Sequence, residues 1–449
     1  YDVGTILFHF WNTFTEQPGT RSWKSFPAAI KSSTFVANSG QYTLEAGAKT
    51  YDFDTIHDRS NTSSIKWSIR LDDKGQPVNL KDDDLPFWVA DMDFPNPPEI
   101  REALKKRIDH GFFGYTSAPE ALNEAIVARM KNLYNWDIQA DWILYNPGMV
   151  LFLGAVTASL TSVGSGILMN TPVYGPFLSR PKHYQRFAQG VPMTRVDDDA
   201  HTFHYEIDFD AFEKTITAQT ELYYLCNPHN PTGTRFTREE LQRLAEICLK
   251  HDVVITSDDI HCDLMLGDAE YIPIATLSPE IEHNTITMLA GTKTYNMAGL
   301  ACSVAIVPDP EKRKKIADYS WGSGYHVDTL AYEALLAGYQ KCDSWLEQTC
   351  AYITDNRDYF AQYMRDNLPM VKMTVPDATY LALMDFSAID IPEKYSSVTD
   401  YFAEEAGIIF TPGSFFGDDL NNYARINLAC PRALLTQGLE RMAKLINSA

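Results

Sequence analysis

Three short apolar runs in the sequence end in residues that can do chemistry. The run 221–226 leads into Asn227-Pro228-His229-Asn230-Pro231-Thr232-Gly233, the run 253–257 into Asp258-Asp259-Ile260-His261, and the run 284–290 into Gly291-Thr292-Lys293. In open α/β sheets ligands bind outside the carboxyl ends of the strands, so the residues just past each run are the ones a site would use. Each has an ordinary reading when taken singly. Asn230-Pro231-Thr232-Gly233 has turn chemistry, Asp258 suits a helix cap or a solvated carboxylate, and a lone lysine usually sits at the surface. Their coincidence in chain order, at strand ends of one sheet, is what those readings do not account for. An amide, a carboxylate and a lysine together meet the needs of a pyridoxal phosphate site. The lysine condenses with the cofactor aldehyde, the carboxylate keeps the pyridine nitrogen protonated so that the ring takes up carbanion charge, and the amide donates to the ring phenolate oxygen.

Such a site requires a sheet, and the sequence spells one. Apolar runs bounded by turn residues recur at 142–145, 166–170, 221–226, 253–257, 284–290 and 302–307. Between two of them the spacing predicts a helix over 237–250, with Thr237 and Glu240 in capping-box register and an inner face of Leu241, Leu244, Ala245 and Cys248. Pro97 and Pro98 open another helix, with Ile100, Ala103, Leu104 and Ile108 as its apolar face and Gly111 closing it. Strands that are apolar throughout, alternating with helices, indicate a mostly parallel sheet covered on both faces. After about residue 340 a long helical stretch is followed by Thr379-Tyr380-Leu381-Ala382-Leu383, which reads as a smaller α+β unit. The expected division is a large domain over 86–340, a small one from 51–85 with 341–449, and an extension over 1–50 to which no role is assigned.

Composition removes several function classes. The chain has 449 residues, 38 Lys+Arg against 59 Asp+Glu, and a net charge of −21. That balance argues against nucleic-acid binding, which needs a positive field to displace counterions. A hydrophobic content of 45% supplies large cores and excludes a disordered chain. No charged side chain occurs from Asn146 to Ser179, yet Thr161, Ser162, Gly164 and Ser165 interrupt the run, so a buried helix followed by a buried strand is expected there rather than a membrane span. No basic residue precedes Arg21, so the apolar Ile6, Leu7, Phe8, Phe10 and Trp11 are not expected to form a secretory signal. Seven cysteines without CxxC spacing fit neither a disulfide framework nor a zinc site, and a reducing cytoplasm is the expected location.

At this point the motifs resemble the fold-type I pyridoxal-phosphate enzymes of aminotransferase classes I and II. More narrowly, they are similar to the cystathionine β-lyase group typified by the MalY and PatB proteins. The likeness rests on Trp88-Val89-Ala90-Asp91-Met92-Asp93-Phe94, Phe113-Gly114-Tyr115-Thr116, Cys226 to Gly233, Ser257 to Asp263, Lys293 to Leu300 and Arg425 to Arg432, and covers about residues 51 to 447. It implies an aspartate aminotransferase-like fold with pyridoxal 5′-phosphate bound to Lys293, Asp258 against the pyridine nitrogen and Asn230 against the phenolate oxygen. It puts His261 where many aminotransferases have a tyrosine that reaches the same oxygen, with a core histidine as the alternative. Tyr174 resembles the tyrosine that stacks on the ring; a packed aromatic is the alternative. Gly148, Met149 and Val150 open the uncharged helix, where backbone N–H groups suit a phosphate, and Thr292 adds a hydroxyl. Tyr115 resembles the tyrosine that reaches the phosphate from a second subunit, which implies a homodimer. Arg425 resembles the arginine that grips the substrate α-carboxylate. Two positions depart from common relatives: Ala290 replaces a serine, and Gly299-Leu300-Ala301 lacks an arginine, leaving more phosphate charge to backbone amides and Thr292.

The resemblance implies a carbon–sulfur β-lyase acting on cystathionine or a related cysteine S-conjugate, with Lys293, Tyr115 and Tyr174 in the catalytic set. An aminotransferase would use the same residues. A cofactor-binding protein that acts by gripping a regulator is a third reading, disfavoured because every catalytic position is occupied.

Overall fold

The computed structural model describes residues 49–72 and 75–448, so most of the expected 1–50 extension lies outside the described residues. The expected strands form and join into one seven-stranded sheet. They are β1 (Ile143–Asn146), β2 (Gly166–Thr171), β3 (Phe187–Pro192), β4 (Thr220–Cys226), β5 (Val254–Asp258), β6 (Thr285–Leu289) and β7 (Ser303–Ile306), in spatial order β1-β7-β6-β5-β4-β2-β3. Strands β2 to β6 pair in parallel, and β7 alone runs antiparallel to both neighbours. β3 was not foreseen. It is an edge strand, largely exposed on both faces, so it needs no continuous apolar run.

Helices cover both faces, which is why the strands are apolar throughout. The helices that pack on this sheet or the next, or carry site residues, are α1 (Pro98–His110), α2 (Met149–Leu160), α3 (Gly175–His183), α4 (Arg238–Lys250), α5 (Gly291–Thr294), α6 (Asp343–Asn367) and α7 (Arg432–Ser448). On one face Leu168, Tyr223, Leu225 and Ile255 pack against Leu241, Leu244, Ala245 and Cys248 of α4, whose start carries the expected Thr237–Glu240 capping box. On the other, Ile167, Met169, Tyr224 and Met288 pack against Phe152, Leu153, Ala155 and Val156 of α2. Burying each such large side chain is worth about 1.5–3 kcal/mol, so α2 needs no charged face. The uncharged stretch is thus a core helix followed by β2, and among the described residues no helix is long and apolar enough to cross a membrane. α1 ends at Gly111, whose φ of 78° is the left-handed cap that glycine adopts without strain. Ile108, expected on its inner face, is instead exposed, as are Phe112 and Phe113 beyond it.

A second, antiparallel sheet of four strands lies beyond residue 370: β8 (Lys372–Met373), β9 (Leu381–Asp385), β10 (Thr411–Pro412) and β11 (Tyr423–Asn427), in the order β8-β9-β11-β10. Leu434, Leu439 and Met442 of α7 and Phe360 and Met364 of α6 bury its apolar face. The first half of α6 packs elsewhere. Trp345 and Ile353 join the large-sheet core with Phe53 and Phe94, so this helix bridges the two cores. Leu85–Pro86 pairs in parallel with Ile408–Ile409, and Asn427 donates its backbone N–H to Phe87 O. The chain then runs from the small sheet into the cleft as residues 88–94.

Candidate active site

Parallel register sets Cys226, Asp258 and Met288 side by side, so the segments leaving β4, β5 and β6 start at one level. Asp258 is the last residue of β5 and 3% exposed. It accepts a hydrogen bond from the Ile260 N–H at 3.3 Å, and burial pushes its carboxyl up to about 7, opposed by that bond and by the charge of Lys293. Asp259 turns away, as strand alternation requires, and accepts from Ser257 Oγ at 2.5 Å. His261, buried above the end of β5, has an Nδ1 without a partner among the described residues, and its ring meets Tyr380 edge-on at 5.9 Å. Burial, with the charges of Lys293 and Arg425, holds the imidazole well below its usual pKa, so it is neutral.

Lys293 sits in α5, the single helical turn after β6. Its Nζ donates to Ala90 O at 2.6 Å, and burial lowers the amine to about 8. Arg425 arrives from the small sheet. Ala424 and Ile426 point into the small core, which sends the side chain between them into the cleft. There one guanidinium nitrogen donates to Asn230 Oδ1 at 2.9 Å, and another donates to Trp88 O at 2.9 Å and Thr411 Oγ1 at 3.1 Å. The plane lies over Phe416, 4.9 Å from the ring centre. Its Nε is buried and unpartnered, and burial lowers the group to about 10. Among the described residues it has no carboxylate partner, and a buried cation left so is costly until an anion arrives. Arg432, the other arginine of this motif, points away. Its Nε donates to Asn356 of α6 at 2.7 Å, and it stacks on Tyr359.

The remaining candidates are less uniform. Asn230, buried, spends its carbonyl oxygen on Arg425, which leaves its amide nitrogen as a donor. Tyr174 caps α3 between Phe177 and Phe415, and burial raises its hydroxyl to about 12. The first N–H groups of a helix lack intrahelical acceptors, which leaves those of Met149 and Val150 available at the start of α2. The Gly148 N–H bonds back to Asn146 O at 2.8 Å, because at φ 113° the chain folds over itself there, and this turn leads into α2. Thr292 is buried beside Lys293. Tyr115 is fully exposed on a segment, residues 110–117, that is exposed throughout, so in this chain it meets none of the others.

Sequence reasoning passed over the Trp88–Phe94 segment as machinery. Asn427 Nδ2 holds Val89 O and Asp91 O, each at 2.8 Å. Asn296 brackets Met92 and Phe94, and Arg59 and Lys66 clamp Asp91 and Asp93. A buried asparagine at the end of a strand-like run, Asn427, was the available signal. The residues fit pyridoxal phosphate: a buried carboxylate with no cation bonded to it, an unpartnered imidazole nitrogen, an amine lowered toward neutrality and an open helix start. Among the described residues no cluster could hold a metal ion.

A family model described as aminotransferase class I and II matches residues 82–442. This chain belongs to the class I and II aminotransferase family. Within that family it is 35% identical over 393 residues to the cystathionine β-lyase PatB of Bacillus subtilis, covering 87% of this chain and 98% of that one. The solved structure of cystalysin from Treponema denticola, which contains pyridoxal 5′-phosphate, superimposes with a TM-score of 0.82 at 32% identity, over 89% of this chain and 100% of that chain. The pyridoxal-phosphate-bound C–S lyase of Staphylococcus hominis gives 0.80 at 30%, over 89% and 99%. The central sheet, mostly parallel and covered by helices on both faces, is the fold-type I architecture of this aminotransferase family.

Proposed function

We propose that this family member is a pyridoxal-phosphate-dependent carbon–sulfur β-lyase, cleaving L-cystathionine or a related cysteine S-conjugate with water to a thiol, pyruvate and ammonia. The observation that carries the reading is the likeness to a cystathionine β-lyase over 87% of the chain, in a protein whose cleft keeps a low-pKa lysine, a buried carboxylate and an arginine that has no counter-ion among the described residues. Bound there, the cofactor supplies an electron sink for the charge left when the Cα proton departs.

The chain's residues do the rest. Arg425 takes the α-carboxylate in its planar fork, a charge-assisted contact that fixes Cα. Lys293 holds the cofactor, and once released its neutral amine removes the Cα proton and carries it within reach of the departing sulfur. With the cofactor bound, Asp258 would pair with the pyridine nitrogen, Asn230 Nδ2 and His261 would serve the phenolate oxygen, and Tyr174 would cover the ring. The backbone N–H groups of Met149 and Val150 and the Thr292 hydroxyl would hold the phosphate. Tyr115 completes the site of a second copy in a homodimer; its full exposure, beside Ile108, Phe112 and Phe113, supports that role. The division into 86–340 and 51–85 with 341–449 belongs to the same proposal. All seven cysteines are free thiols and six are buried, which supports a reducing compartment such as the cytoplasm.

The test is incubation with cystathionine and several cysteine S-conjugates while pyruvate is followed with no keto acid added. Pyruvate and thiol in equal amounts are expected. Amino-group transfer that needs a keto-acid acceptor and yields no pyruvate overturns the lyase reading in favour of an aminotransferase.

A further inference from the structure

The carbonyl oxygen of Ala90 accepts two hydrogen bonds, one from Lys293 Nζ at 2.6 Å and one from Tyr380 Oη at 2.9 Å. Tyr380 immediately precedes β9 and is fully buried. Its ring is locked edge-on against His261, and its own backbone oxygen accepts from the Leu428 N–H at 2.7 Å. The hydroxyl therefore has little freedom, and it meets the lysine through one shared acceptor.

We infer that Tyr380 is a positioning residue for the released Lys293 amine, acting through the Ala90 carbonyl. A carbonyl oxygen has two lone pairs. With one committed to the Tyr380 hydroxyl, a single N–H of Lys293 can dock on the other, so the amine is parked in one orientation. The same sharing weakens the oxygen as a partner for an ammonium, because the hydroxyl draws on the electron density the cation would use. Tyr380 thus favours the neutral amine, the form able to remove a proton. Every other charged or titratable group acting on Lys293 belongs to the site already described: Asp91 and Asp258 favour its charged form, and Arg425 opposes it, while His261 is neutral. The far end of the same segment is held separately, since Trp88 O accepts from Thr411 Oγ1 at 2.6 Å and from Arg425. Loosening the segment as a whole would therefore disturb Arg425, whereas losing the Tyr380 hydroxyl acts on Lys293.

This inference rests on the proposed role of Lys293 as the cofactor lysine, and the test separates the two. Full-length protein is stripped of cofactor, and the rate at which pyridoxal phosphate is captured is followed by absorbance across pH, since only the neutral amine condenses. For Tyr380→Phe, which removes one oxygen, the pH midpoint of capture should rise by about one unit, a tenfold change in the protonation equilibrium. In the reloaded enzyme kcat at neutral pH should fall correspondingly and recover at higher pH, with KM unchanged. Tyr380→Gln, which retains a neutral donor, should move the midpoint back toward wild type. Thr411→Val should raise KM and leave the midpoint alone. An unmoved midpoint in Tyr380→Phe, or a rise in KM with kcat intact, overturns the inference and makes Tyr380 a pin for the segment. Failure of the wild type to capture cofactor through Lys293 would overturn the site reading itself.

Discussion

Arg425 donates to Asn230 Oδ1 across 2.9 Å, and this bond ties the small sheet to the segment that leaves the large one. Asn230 follows β4 of the large sheet, and Arg425 lies on β11 of the small one. The bond also fixes the orientation of the amide: with its oxygen turned to the arginine, Asn230 keeps its nitrogen as a donor. The two residues therefore assign each other's tasks.

Arg425→Ala is expected to raise KM for every amino-acid substrate by a similar factor. A charge-assisted contact of about 1.5–3 kcal/mol corresponds to a loss of roughly ten- to a hundredfold, read by substrate saturation with two unrelated amino acids. Arg432→Ala should alter stability through Asn356 and Tyr359 while leaving KM nearly unchanged. A large KM effect in Arg432→Ala with Arg425→Ala almost silent reverses the assignment.

Asp258→Asn should reduce kcat far more than it reduces cofactor binding, because a neutral amide cannot hold the pyridine nitrogen protonated. The same change should stabilise the cofactor-free protein near pH 8. The folded-state pKa of Asp258 is raised to about 7, so the folded protein binds its proton more tightly than the unfolded chain. The stability this confers is complete below the unfolded pKa of about 3.9 and is lost as pH rises through 7. Asp259, also raised to about 7 by burial, adds to the slope. Removing one of these carboxylates should recover on the order of 2 kcal/mol at pH 8, seen as a higher denaturant midpoint with a shallower pH dependence.

Borohydride reduction of the loaded protein should fix the cofactor to the peptide carrying Thr292-Lys293-Thr294, and Lys293→Ala should yield no labelled peptide and no pyruvate. Label recovered on any other lysine refutes the assignment.

Tyr115 is expected to serve the neighbouring subunit. Tyr115→Ala and Lys293→Ala, each with little activity alone, should regain about a quarter of wild-type activity when mixed as hybrid dimers, because one site of each hybrid carries both intact residues and random exchange makes half of the dimers hybrid. No recovery on verified subunit exchange places Tyr115 in its own subunit's site or in none.

What the sequence determined by itself was local and periodic. Uninterrupted apolar runs fixed the strands of a two-sided sheet, Thr237 and Glu240 fixed a helix start, and Asp258 and Lys293 stood out because strand ends are where such sheets bind ligands. Alternation along Tyr423–Asn427 puts Arg425 on the face opposite Ala424 and Ile426. Tertiary structure decided what depends on contacts between residues far apart in the chain. That Gly148 spends its N–H on Asn146 follows from a backbone angle that composition does not encode. That Tyr380 and Lys293, 87 positions apart, share the oxygen of Ala90 depends on three segments meeting in the cleft, and a main-chain carbonyl leaves no mark on the sequence because every residue has one. The exposure of Ile108, Phe112, Phe113 and Tyr115 is likewise decided in three dimensions: apolar spacing predicts that a surface will be buried, but only the folded chain shows that its own core does not bury it.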